Sequence, residues 1–131
     1  MVTHKPDEVV YKTVMTTLGD RPVLAVTDDH TGHLTVVRCV GEIDLATVPG
    51  LRERISRLQI DGSAHLVVDL TGVTFIDSLG LGALIGAHKR ARVLQGSLLI
   101  VPSDAVRRVF AATALDRVFE IRATVDEALA R

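Results

Sequence analysis

Residues 67–86, VVDLTGVTFIDSLGLGALIG, narrow the architectures open to this chain more than any other stretch. An apolar run is followed by a short polar break, a second apolar run, and then Asp77-Ser78 at the head of a glycine-studded helical segment. The continuous apolar run HLVVDL, from His65, suits a strand covered on both faces, as strands in a parallel sheet usually are. The helix that follows carries Gly80, Gly82 and Gly86, although glycine costs roughly 1 kcal/mol relative to alanine inside a helix. Such a helix is expected where another backbone comes close.

The flanking segments extend this pattern. VLAVTDD and HLTVVRCV, separated by a turn at HTG, predict a β-hairpin. In DLATVPGLRERISRLQIDG, Thr47 stands where a helix N-cap is wanted, and proline is tolerated in the first turn after it. Val48, Leu51, Ile55 and Leu58 recur at spacings of three and four, which gathers them on one buried face and leaves the arginines outside. Gly62 ends that helix. Gly96 stops the Ser78 helix, whose expected core stripe is Leu81, Leu84, Ala87, Ala91 and Leu94. SLLIV then predicts a buried strand, SDAVRRVFAATAL a helix capped by Ser103, and RVFEI a short strand. TVDEALA opens a last helix with a capping box, Thr124 three residues before Glu127.

Strands followed by alternating helices and strands predict an α/β domain over residues 21–131. Its mixed β-sheet is expected to have about four to five strands, with central parallel strands, right-handed crossovers and an initial antiparallel hairpin, and about four helices. Residues 1–20 read as an N-terminal extension, either flexible or an added strand.

Composition removes several function classes. Fifteen basic against sixteen acidic side chains leave no basic excess for nucleic acid. A hydrophobic share of 47% is globular rather than disordered. The single Cys39, within LTVVRCV, has no intrachain disulfide partner and suits a buried thiol in a reducing compartment. No segment reaches the roughly 20 apolar residues of a membrane span, and MVTHKPDEVV lacks the pattern of a signal peptide. A cytoplasmic location is expected. His4, His30, His33, His65 and His88 show no metal-ligand spacing. GLGALIG matches neither phosphate-loop pattern, and Ser78 follows FID rather than the G-x of a nucleophile elbow. No catalytic residue, metal or cofactor is expected.

Ser78 and Asp77 are both good N-caps, so capping alone would explain the hydroxyl. Three features point further. A helix starting at a strand's carboxyl end lies on the edge of an α/β sheet where ligands and partners engage. Gly82 and Gly86 share one helix face, with Gly80 nearby, and would leave a smooth outer surface; tight packing on the chain's own sheet is the alternative. A phosphate on Ser78 would add about −1.5 to −2 charge beside Asp77. The helix dipole would accept that charge, while a partner docked there would be disrupted.

VVDLTGVTFIDSLGLGAL, preceded by GEIDLAT and followed by VRRVFAATALDRVFEI, resembles the STAS domain of bacterial anti-sigma factor antagonists from about Val23 to the C terminus. The resemblance implies partner switching of the kind used in stress-response and sporulation-like signalling. The unmodified antagonist binds an anti-sigma factor that is also a serine kinase, and so frees a sigma factor. The kinase, which holds the ATP and magnesium, phosphorylates the serine after the signature aspartate, here Ser78, and the complex dissociates. A serine phosphatase restores the active form. The resemblance also matches Asp44, in GEIDLAT, to a loop carboxylate near the phosphorylated serine, with loop or helix capping as its plain alternative. The implied partner surface is Asp44, Asp77, Ser78, Leu79, Gly80, Gly82 and Gly86, on a monomer or weak dimer without direct contact to nucleic acid or membrane.

The sequence departs from the family at one place. A second hydroxyl often follows the phosphorylated serine, giving D-S-S-G or D-S-T-G; here the position is Leu79. The accepting Ser78 remains, so the change bears on kinase fit or partner selectivity. Some STAS proteins act without phosphorylation, and the competing reading is a STAS-type ligand-binding or scaffold module, since a helix N-terminus is an intrinsic anion site. A catalytic role for Ser78 lacks a histidine placed as base.

Overall fold

The computed structural model describes residues 12–18 and 21–130. In chain order it contains β1 (Lys12–Leu18), β2 (Arg21–Thr31), β3 (Leu34–Ile43), α1 (Val48–Ile60), β4 (His65–Ile76), α2 (Ser78–Val93) and β5 (Ser97–Pro102). These are followed by α3 (Asp104–Thr113), a 3-10 turn (Leu115–Arg117), β6 (Glu120–Ile121) and α4 (Val125–Leu129). One six-stranded sheet runs in sequence order from β1 to β6. The β1–β2 and β2–β3 pairs are antiparallel, and β3 through β6 are parallel. The mixed α/β class stands, with one strand more than the expected four to five. Lys12–Leu18 supplies an edge strand, and β6 is only two residues long. Residues 1–11, 19 and 20 of the expected extension lie outside the described residues.

Period-2 alternation divides the central strands between two cores. Val37, Val68 and Ile100 face the larger core, where they meet Leu51 and Ile55 of α1, Leu84 and Ala87 of α2, and Phe110 of α3. Their neighbours Val36, Val67, Leu99 and Val101 face the other way and pack with Ala128 of α4. Strands covered on both faces produce the unbroken apolar runs seen in the sequence. Cys39 lies in the larger core as a free thiol, where burial and then the Asp69 carboxylate push its pKa up to about 12.

The apolar spacing of α1 is realised, with Val48, Leu51, Ile55 and Leu58 all buried. Two predicted caps also form: Ser103 accepts the Val106 N–H at 3.1 Å, and Thr124 accepts that of Glu127 at 3.1 Å.

Four details differ from expectation. The hairpin strands run on to a two-residue turn at Gly32–His33, with Thr31 paired to Leu34. The strand expected at HLVVDL continues through Ile76, because β4 absorbs extra residues against β3 in two places: Arg38–Asp69 is followed by Val40–Gly72, and Gly41–Val73 by Glu42–Phe75. Asp69 pins the first of these bulges by accepting the Thr71 N–H at 3.0 Å and hydroxyl at 2.7 Å, while Arg38 Nε donates to its other oxygen at 3.0 Å. Leu94 leaves the expected core stripe and is 42% exposed, because α2 ends at Val93 and the chain turns there; Ala83 is buried on the helix instead. In RVFEI only Glu120–Ile121 joins the sheet, while Phe119 turns into the core beside Phe110.

Candidate switch site

The site forms at the carboxyl ends of β3 and β4. Ile43 and Ile76 are register partners, and the Asp77 N–H donates to the Ile43 carbonyl at 3.1 Å. Parallel pairing thus brings Asp44 and Asp77, more than thirty residues apart in sequence, out of the sheet side by side. Sheet edges of this kind are where α/β domains usually place their binding sites.

Each aspartate builds the loop it stands in. Asp77, in extended backbone conformation, is the N-cap of α2; its Oδ1 accepts the N–H groups of Leu79 and Gly80, both at 3.0 Å. Asp44 Oδ1 accepts those of Ala46 at 3.0 Å and Thr47 at 3.2 Å. Thr47, expected as the cap of α1, makes no side-chain cap bond. Its buried hydroxyl instead donates to the Glu42 carbonyl and accepts the Asp44 N–H, both at 2.9 Å, which closes the loop around Asp44. The loop-capping alternative for Asp44 is therefore realised, and it coexists with an outward-facing position.

Ser78 occupies the first helical residue rather than the cap. Its side chain is exposed, and among the described residues its hydroxyl has no hydrogen-bond partner. Capping does not account for this serine, because Asp77 already serves the helix donors that a hydroxyl would satisfy. A phosphate on Ser78 would find the first of those donors occupied as well, which removes part of the helix-terminal accommodation expected from sequence.

The three glycines divide. Gly80 is buried, and a Cβ there would sit 2.6 Å from Ile76 Cγ1 and 2.7 Å from Ile43 Cγ2. It is the residue that lets α2 close onto the ends of β3 and β4, so it is corrected from the outer surface to the interior. Gly82 is exposed and Gly86 half-buried, and a Cβ at either would meet nothing within 4 Å. The chain's own packing gives no reason for glycine at these two positions.

Leu79 is 43% exposed. Sequence reasoning missed two apolar companions at this end of the sheet, Leu45 at 73% and Phe75 at 48% exposure. Leu45 carries a signal in hindsight, an apolar side chain in a loop between two residues whose polar groups are spent on that loop. Phe75 carries none, since only the β4 bulge turns it outward. Among the described residues no group of three or more His, Cys, Asp or Glu side chains is arranged to hold a metal. No helix there is long and apolar enough to cross a membrane.

Comparison with known proteins places these features in a family. The STAS domain profile matches residues 23–128. The anti-sigma-B factor antagonist of Listeria monocytogenes is 34% identical over 100 residues, covering 76% of this chain and 87% of that protein. Among solved structures, an anti-sigma factor antagonist from Mycobacterium paratuberculosis superposes with a TM-score of 0.72 at 27% identity, covering 98% of this chain and 97% of that one. The Bacillus cell fate determinant SpoIIAA in its phosphorylated form gives a TM-score of 0.61 at 25% identity, covering 93% and 98%.

Proposed function

We propose that this chain, which belongs to the STAS-domain family of anti-sigma factor antagonists, binds an anti-sigma factor that is also a serine kinase and is released from it by phosphorylation of Ser78. The observation that carries the reading is the uncommitted, exposed hydroxyl at the first position of α2, beside a cap that Asp77 already supplies. A kinase can take such a hydroxyl without dismantling the helix start. Gly82 and Gly86 offer bare backbone for a partner to lie against, Leu79 supplies apolar area next to the serine, and Leu45 and Phe75 add exposed apolar side chains near the same ends of β3 and β4.

Release follows from charge. Phosphate brings about −1.5 to −2 units to a surface that already holds the Asp44 and Asp77 carboxylates. In a docked interface this charge is stripped of water and faces like charges, which costs far more than at a free surface. ATP and magnesium belong to the kinase, and a serine phosphatase reverses the modification. In this reading Asp44, Asp77, Ser78, Leu79, Gly82 and Gly86 line the partner surface, while Gly80 acts beneath it.

Incubation with the cognate kinase and ATP, followed by mass spectrometric mapping, tests the reading. Phosphate on Ser78 alone is expected; no modification, or modification elsewhere, overturns it. Ser78→Ala should bind the kinase and resist release, and Ser78→Asp should bind more weakly, with only part of the effect of phosphate because it carries a single charge. Equal binding by both variants would remove charge-gated release. Leu79 favours a second reading, a STAS-type ligand-binding or scaffold module that docks without phosphorylation, since its exposed apolar side chain stands where the family often has a hydroxyl. Stable partner binding by a chain that no kinase modifies would select it.

A further inference from the structure

The opposite end of α2 carries a second feature unrelated to the switch. A cavity of about 380 Å³ opens between the last turns of α2, the start of β5 and the β6 edge. The α2 residues that line it, His88, Ala91 and Arg92, lie 10 to 14 residues past Ser78, so at 1.5 Å per residue the cavity sits about 15–21 Å along the helix from Ser78. Arg92 and Glu120 stand on its wall, one cation and one anion. Neither side chain has an ion-pair or hydrogen-bond partner among the described residues, so they do not neutralise each other across the opening. Ser97, whose hydroxyl lies 2.9 Å from His65 Nδ1, and His88, stacked edge-on against Phe119 at 5.9 Å, place oriented polar groups in the same wall. Ala91 and Val118 add apolar lining, and Val118 is 46% exposed.

We propose that this cavity binds a small zwitterion with an apolar body, a free α-amino acid. Its carboxylate meets the Arg92 guanidinium, a planar donor pair suited to a carboxylate. Its ammonium group meets Glu120. Its side chain covers Val118, removing from water apolar surface that the fold leaves exposed. The volume is at the small end of the range for ligand sites, which favours one amino acid over a peptide or nucleotide. Arg92 also balances the carboxyl end of the α2 dipole, but that role needs neither a cavity nor an opposing glutamate.

The test uses the whole chain and the free amino acids as probes, in thermal-shift and amide-NMR titrations. L-leucine or another apolar amino acid is expected to bind saturably, raise Tm and shift the resonances of Ala91, Ser97 and Val118. N-acetyl-leucine and leucinamide, each lacking one charge, should bind about tenfold more weakly. Arg92→Ala and Glu120→Gln should each weaken leucine by about tenfold, and both positions are exposed enough to leave the fold intact. No saturable binding by any free amino acid overturns the proposal. So does equal binding of N-acetyl-leucine, which would mark a simple anion site, or resonance shifts confined to the Ser78 end. Ser78→Ala should bind leucine unchanged, so the fate of this site is read independently of the switch.

Discussion

Asp77 Oδ1 accepts the Gly80 N–H at 3.0 Å, and the two residues together seat α2 on the sheet: the carboxylate closes the helix start, and the missing side chain lets it approach Ile43 and Ile76. Asp77→Ala should destabilise the chain by about 1 kcal/mol, the usual cost of losing a cap. Asp77→Asn keeps an acceptor and should fall within a few tenths of a kcal/mol of the wild type. Urea denaturation of the two variants measures the difference.

The glycines of α2 should respond in opposite directions. Gly80→Ala forces a methyl group into packed isoleucine side chains and should cost about 1–3 kcal/mol. Gly82→Ala meets open space and gains helix propensity, so it should stabilise the free protein by about 1 kcal/mol. If the outer face receives a partner backbone, Gly82→Ala should nonetheless weaken that complex. Paired denaturation and binding measurements separate the two effects.

Asp28 is fully buried on β2, where Arg54 of α1 donates Nε to its Oδ1 at 2.8 Å and Nη2 contacts the same oxygen. Its Oδ2 has no hydrogen bond and lies 4.0 Å from His30 Nε2. Arg54→Ala would strand this carboxylate in the core and should cost about 3–5 kcal/mol, near the limit of what a small domain survives. Removing both charges, as in Asp28→Leu with Arg54→Met, should recover most of that loss. A double-mutant cycle on thermal stability reads the coupling.

Cys39 should resist thiol reagents at pH 8 until the protein unfolds, because burial raises its pKa from 9.0 to about 12. The sign for stability follows from proton counting. Below pH 9 both states keep the thiol proton and the group contributes nothing. Between pH 9 and about 12 the unfolded chain ionises while the folded one does not, so this thiol lowers stability as pH rises. Cys39→Ala, despite its packing cost, should lose that part of the alkaline slope.

The sequence by itself determined features that act over a few residues. The α1 stripe of Val48, Leu51 and Ile55 follows from helical periodicity, and the caps at Ser103 and Thr124 follow from a side chain reaching a backbone N–H three residues on. The buried strand runs were legible for the same reason, as was the signature around Asp77-Ser78. Tertiary structure decided which of two adjacent candidates does a given job. Ser78 and Thr47 have good capping chemistry, yet Asp77 caps α2 and Thr47 spends its hydroxyl on the Asp44 loop, because the Ile43–Ile76 pairing fixes the path by which the chain leaves each strand. Gly80 differs from Gly82 and Gly86 only in what lies opposite it, two isoleucines brought there from separate strands. Leu94 and Phe75 are exposed because a helix ends and a strand bulges, and each depends on distant pairing. Propensity and periodicity are energies of neighbours along the chain, whereas depth and approach are set by contacts between segments that the chain order leaves far apart.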